Sequence, residues 1–131
     1  MSNYSIVVID DDTVTLDIVT YALEEAFEVT VLAFSRSEMA REFLLSPAGK
    51  SLALIISDQN MPVYDGLTLL KECRGVGVDA PFILLTGDAT RETVLAAKQG
   101  GATQFLAKPF ASEDLVSKVK SLLDKIPPLV N

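Results

Sequence analysis

Histidine is absent from the 131 residues, and cysteine occurs once, at position 73. The first absence removes Ser-His and Cys-His catalysis together with histidine metal ligands. The second leaves no intramolecular disulfide and no multi-cysteine metal site. Remaining chemistry must use carboxylates, hydroxyls and lysine. Cys73 follows Leu69 and Leu70 at helical spacing, so it reads as a buried core thiol. Long apolar runs are missing as well. Ile6 to Ile9 is followed by three acids and is far too short for a signal or membrane segment, so the chain reads as soluble and cytoplasmic. Basic residues are scarce: Lys+Arg 11 against Asp+Glu 18 gives a net charge of -7 and a pI near 4.4. Nucleic-acid phosphates would be repelled on average, which argues against direct DNA contact.

What is present is a dense apolar pattern. At 49% hydrophobic content, a chain of this length supports one compact core and is too short for two ordinary domains. The pattern centres on Leu54 to Gly66, LIISDQNMPVYDG. Ala53 to Ile56 is continuously apolar, the signature of a parallel strand covered on both faces. It leads through Ser57 to Asp58, after which Met61-Pro62 and Asp65-Gly66 turn the backbone. A buried strand thus ends by presenting an acid at the carboxyl edge of a sheet, where open α/β folds bind ligands.

The rest of the chain repeats this grammar. Ile6 to Ile9 is a β-branched strand stopping at Asp10-Asp11-Asp12. Asp12 caps a helix over Thr13 to Ala26, with Leu16, Val19, Leu23 and Ala26 on one face. Val29 to Phe34 is a strand. Ser35-Arg36-Ser37-Glu38 is a capping-box pattern opening a helix that sends Met39, Phe43 and Leu44 inward and stops before Pro47. Gly49-Lys50-Ser51 resembles the end of a phosphate loop, but Leu44 stands where its first glycine belongs and a strand follows. A third helix from Asp65 carries Leu67, Leu70 and Cys73 inward, and Gly75 to Asp79 is a loop.

Phe82 to Leu85 is another buried strand, ending at Thr86-Gly87-Asp88. A helix from about Thr90 turns Val94 and Ala97 inward and stops at Gly100-Gly101. Thr103 to Ala107 is the fifth strand and ends at Lys108-Pro109-Phe110. Ser112-Glu113-Asp114 starts a last helix, with Leu115, Val116, Val119, Leu122 and Leu123 inward, until Pro127-Pro128 forbids continuation. Lys118, Lys120 and Lys125 fall on its wet face. Five strands alternating with five helices predict a doubly wound α/β sandwich, (βα)5, with a parallel sheet between two helical layers.

In such a sheet, Asp10, Asp11, Asp58, Thr86 and Lys108 share one edge. Gathered carboxylates repel, and the repulsion is relieved by protonation or by a cation. Few, hard oxygen ligands suit Mg²⁺. A metal so held neutralises an incoming phosphoryl group, while Lys108 pairs with one phosphoryl oxygen, the Thr86 hydroxyl donates to another, and a carboxylate serves as nucleophile.

Asp10-Asp11, Asp58 inside ISDQNMPVYDG, Thr86 inside LLTGD and Lys108 inside AKPF together resemble the receiver domain of two-component response regulators, over about residues 4 to 126. The resemblance implies a flavodoxin-like sheet of strand order 2-1-3-4-5, with residues 1–126 as the domain and 127–131 as a tail or the start of a linker. It implies that Asp58 accepts a phosphoryl group from a sensor histidine kinase, a phosphotransfer protein or a small acyl phosphate. Asp11, Asp58 and the Asn60 carbonyl would ligate Mg²⁺, with Asp10 acting through water. Thr86 and Lys108 would bind phosphoryl oxygens, and Phe105 matches an aromatic switch position. Lys108-Pro109 matches a cis peptide. The partner surface would be the face made by the fourth strand, fourth helix and fifth strand. Asn60 and Asp88 would tune dephosphorylation. Tyr64 and Gly87 stand where methionine and alanine are frequent. An effector beyond residue 131, a separate output protein and a homodimer on phosphorylation all stay open.

Two rivals use the same residues. Asp10-Asp11-Asp12-Thr13-Val14 fits the nucleophile motif of haloacid-dehalogenase-type phosphatases, with Asp10 as nucleophile and Asp12 as acid/base. Against it, Glu113-Asp114 open a helix where that family needs an acidic pair at a strand end. A receiver that works only by binding would lack the phosphoacceptor, a metal acid or the lysine, and none is missing.

Overall fold

The computed structural model describes residues 4–88 and 90–126. Strands β1 (Tyr4–Ile9), β2 (Val29–Phe34), β3 (Leu54–Asp58), β4 (Phe82–Thr86) and β5 (Gln104–Ala107) alternate with helices α1 (Thr13–Ala26), α2 (Ser37–Leu45), α3 (Gly66–Gly75), α4 (Arg91–Gly100) and α5 (Ser112–Leu123). All strand pairs are parallel, in the spatial order β2-β1-β3-β4-β5. This is the doubly wound α/β sandwich expected of the alternation, with the flavodoxin-like strand order that the resemblance implies.

Two-residue periodicity divides the core. Ile6, Val8, Leu54, Ile56, Ile83 and Leu85 pack with Leu16, Val19 and Leu23 of α1 and Leu115, Val119 and Leu122 of α5. Val7, Ile9, Ile55, Phe82 and Leu84 face the other way, onto Ala40 and Leu44 of α2, Leu69, Leu70 and Cys73 of α3, and Ala97 of α4. Both faces being covered, residues 6–9 of β1, 54–56 of β3 and 82–85 of β4 are apolar at every position, which is why they read as unbroken runs. Burial pushes the Cys73 thiol up to about 11, in keeping with a core role.

Side chains start three of the helices as their sequences suggest. Asp12 accepts from the Val14 N–H at 3.1 Å, Asp65 from the Thr68 N–H at 2.8 Å and Thr90 from the Thr93 N–H at 3.2 Å. At the far end of α4, Gly101 has φ +96°, a left-handed turn that glycine adopts freely.

Several local expectations are corrected. Arg36 rather than Ser35 is the cap position of α2, and no side chain caps it. The capping box fails because α2 begins at Ser37, which leaves Ser35 one residue before the cap position, and because Glu38 pairs with Arg36 at 3.0 Å; the Ser37 hydroxyl bonds instead to Pro62 and Tyr64. Met39 is exposed and Ala40 takes its inward place. Pro47–Ser51 forms a short 3-10 helix, consistent with proline at its start. Ala26 is exposed, while Leu67, Val94 and Val116 are only half-buried. Gly75 still belongs to α3, Thr103 lies just before β5, and α5 ends at Leu123, ahead of the prolines. Residues 127–131, read as a tail, lie outside the described residues. No helix among the described residues is long and apolar enough to cross a membrane.

Candidate functional site

Strand register brings the site together. Ile9 pairs with Ser57, so Asp10 and Asp58, one residue further on each strand, emerge side by side from β1 and β3. Asp58 pairs with Leu85 and Thr86 with Ala107, which sets Thr86 and Lys108 at the same carboxyl edge. The Lys108 N–H donates to the Thr86 carbonyl at 2.7 Å, continuing the β4–β5 ladder beyond the last strand residue. The peptide bond to Pro109 is cis, as expected.

Asp10 is fully buried. One of its oxygens accepts the Asp12 N–H at 2.9 Å, and the other accepts Lys108 Nζ at 2.8 Å. Lys108 Nζ also lies 3.1 Å from an Asp58 oxygen, so the ammonium bridges two carboxylates. Asp10, Asp11 and Asp58 each offer an oxygen within 4.8 Å of the others. Asp10 and Asp58 are buried, whereas Asp11 is exposed at the mouth.

The electrostatics follow from three acids against one base. Burial raises the Asp58 pKa above the usual carboxylate range, Asp10 and Asp11 raise it further, and Lys108 opposes them. For Lys108 burial favours the neutral amine. The hydrogen bonds and charges of Asp10 and Asp58 outweigh it and hold the pKa above the ordinary lysine value. Two net negative charges remain among hard oxygen donors, a donor set and charge that fit a divalent cation.

Thr86 is fully buried, and its Oγ accepts the Asp88 N–H at 3.0 Å, leaving the hydroxyl proton free to donate. Asn60 and Asp88 are exposed beside the edge. Phe105 is half-buried opposite Leu84 and lines an open cleft of about 220 Å³ with Val94, Ala97 and Lys98. Asp12 stays out of the acidic cluster: its oxygens accept the Val14 N–H and, at 2.8 Å, the Thr15 hydroxyl.

Residues 6–120 match the family described as response regulator receiver domain. The chain belongs to that family. Curated relatives include the transcriptional regulatory protein FixJ of Bradyrhizobium diazoefficiens, 32% identical over 94% of this chain and 58% of FixJ. DctD, the C4-dicarboxylate transport transcriptional regulatory protein of Rhizobium meliloti, is 33% identical over 92% of this chain and 25% of DctD. The receiver therefore spans about half or less of these relatives. Among solved structures, a CheY-like receiver domain protein from Methanospirillum hungatei superposes with a TM-score of 0.85 at 26% identity, covering 95% of this chain and 96% of that one. The BeF3-activated DrrB receiver domain gives 0.82 at 27% identity, covering 95% of this chain and all of that one.

A receiver is a signalling phosphoacceptor rather than a classical enzyme, and the pocket of Asp10, Asp11, Asp58 and Lys108 is typical of one. The phosphatase alternative falls with this membership, and Asp12, occupied in capping α1, is poorly placed as its acid/base. Three residues that bear on the edge had no sequence signal: Gln59, whose side chain accepts the Leu67 N–H at 2.8 Å, Ser37 and Val63. The contacts of Ser37 join segments 25 residues apart, beyond the reach of any local pattern.

Proposed function

We propose that Asp58 takes a phosphoryl group from a phosphohistidine of a sensor kinase or phosphotransfer protein, or from a small acyl phosphate. The observation that carries this is the buried Asp58 carboxylate bridged by Lys108 at 3.1 Å beside two further acids. An Asp58 oxygen attacks phosphorus, the bond from phosphorus to the donor nitrogen or oxygen breaks, and the electron pair leaves with the donor. Lys108, already within reach of Asp58, turns from it to a phosphoryl oxygen, and the freed Thr86 proton bonds another. Asp11, Asp58 and the Asn60 carbonyl would hold Mg²⁺ directly and Asp10 through water. When bound, Mg²⁺ supplies positive charge that offsets the gathered carboxylates and the phosphoryl oxygens.

Incubation with acetyl phosphate, followed by intact mass, tests this. One phosphoryl group is expected with Mg²⁺ and none with excess chelator. Equal uptake in both, or none in either, overturns the reading.

Drawing Thr86 toward the phosphate vacates space for the half-buried Phe105 ring beside α4, so the β4-α4-β5 face would change with phosphorylation. Asn60 and Asp88 flank the site and would orient or repel the hydrolytic water. Asp88→Ala should alter the dephosphorylation rate several-fold, read as loss of the mass increment with time; an unaltered rate removes that role. FixJ and DctD are named as transcriptional regulators, which supports an output carried on an attached effector beyond residue 131 or on a separate protein. A homodimer on phosphorylation would use the same face. The cytoplasm, with its kinases and Mg²⁺, is the compartment this chemistry requires.

A further inference from the structure

The loop between Asp58 and Gly66 is closed at its base by Gln59. The Gly66 N–H donates to the Gln59 carbonyl at 3.0 Å, and the Leu67 N–H to its side chain at 2.8 Å. Above that base, the Tyr64 N–H donates to the Pro62 carbonyl at 2.9 Å across Val63, whose φ is +73°. This is a γ-turn of the positive-φ kind, the rarer and strained of the two. A β-branched residue suits it least. The Val63 side chain, 68% exposed, gains little by burial to offset the strain.

The restraint comes from another element. Ser37, the first residue of α2, is buried, and its hydroxyl donates to the Pro62 carbonyl at 2.6 Å while accepting the Tyr64 N–H at 3.1 Å. One hydroxyl thus spans both ends of the turn. Arg41, four residues further along α2, lies 5.0 Å over the Tyr64 ring and is paired with Glu72 of α3. A strained turn persists only where its surroundings over-determine it.

We propose that Ser37 is a positioning residue for the Asp58 site, fixing the backbone course through residues 60 to 64 and so the presentation of the Asn60 carbonyl to the three carboxylates. The inference rests on the assignment of Asp58 as phosphoacceptor and Asn60 as ligand. Without the hydroxyl, the Pro62 carbonyl and Tyr64 N–H each lose a partner, Val63 relaxes toward negative φ, and the peptides after Asn60 rotate.

The test is Mg²⁺ affinity, measured by calorimetry on the unphosphorylated protein. Ser37→Ala is expected to weaken binding about ten-fold, the scale of lost outer-shell support. Glycine adopts positive φ without strain, so adding Val63→Gly to Ser37→Ala should restore most of the affinity. Thr103→Ala is the control for general destabilisation. It removes a hydroxyl that accepts the Phe82 N–H at 3.1 Å at the opposite sheet edge, and should lower the melting temperature while leaving Mg²⁺ affinity unchanged. The role is overturned if Ser37→Ala binds like the unaltered chain, if Thr103→Ala weakens binding equally, or if Val63→Gly gives no rescue. If the unaltered chain binds no Mg²⁺, the reading of the Asp58 site itself fails, and this role with it.

Discussion

Asp58→Asn is expected to abolish phosphoryl uptake from acetyl phosphate and, in the absence of divalent cations, to make the domain melt at a higher temperature. The first effect follows from losing the nucleophilic oxygen. The second follows from the electrostatics: burial, Asp10 and Asp11 raise the Asp58 pKa against the opposing pull of Lys108. The sign is fixed by linkage. A raised native pKa means that the folded chain holds this proton more tightly than the unfolded chain. The contribution of Asp58 to stability is therefore present below the unfolded carboxyl value and lost as pH rises through the folded one. At neutral pH asparagine removes a charge that the fold disfavours, while Lys108 keeps Asp10 at 2.8 Å. The expected change is therefore a gain in stability, read as a higher melting temperature. Thermal melts in chelator from pH 7 downward check the sign: the gain should shrink as pH falls and Asp58 takes up its proton. Added Mg²⁺ should stabilise the unaltered chain more than the variant.

Gly66→Ala is expected to destabilise the domain and slow phosphoryl uptake together. A Cβ at Gly66 would lie 2.6 Å from the Asp58 carbonyl oxygen, 2.6 Å from a Leu84 methyl and 3.2 Å from the Gln59 Cα. Two of these are backbone atoms of the segment that carries the phosphoacceptor, and Leu84 is fully buried, so nothing nearby yields cheaply. Overpacking of this kind costs about 3 kcal/mol at the upper end. Against it stands a helix-propensity gain of about 1 kcal/mol for alanine over glycine. The net expectation is a loss of about 2 kcal/mol, read from the urea midpoint. Relief requires the start of α3 and the end of β3 to move apart, so the initial rate of uptake should fall even where the variant is fully folded. An unchanged midpoint with an unchanged rate would show that α3 does not hold the Asp58 backbone in place.

The fold was legible because burial on both sheet faces leaves residues 6–9 of β1, 54–56 of β3 and 82–85 of β4 apolar at every position, and each run stops at a polar residue. Asp58, Thr86 and Lys108 could be placed at one edge on that basis alone, since parallel strands send all their carboxyl ends the same way. Asp12, Asp65 and Thr90 announced helix starts by side-chain chemistry acting within three residues. The Ser35–Glu38 pattern failed the same test, because the helix starts at Ser37 and Arg36 holds the cap position without a side-chain bond. The Ser37 hydroxyl serves a distant turn, bonding to Pro62 and Tyr64, which no local pattern reveals. Met39 was placed inward on its hydrophobicity, whereas Ala40, four residues before the buried Leu44, shares the inward face. The positive φ of Val63 had no compositional cue, because valine is among the residues least suited to it.

The most direct measurement is the position of the acyl phosphate. The chain is phosphorylated with acetyl phosphate and Mg²⁺, reduced with borohydride, and mapped by peptide mass. A homoserine at residue 58, and at no other acid, is the predicted result. Reduction at Asp10 or Asp11 instead would contradict the assignment of Asp58 and the roles built around it.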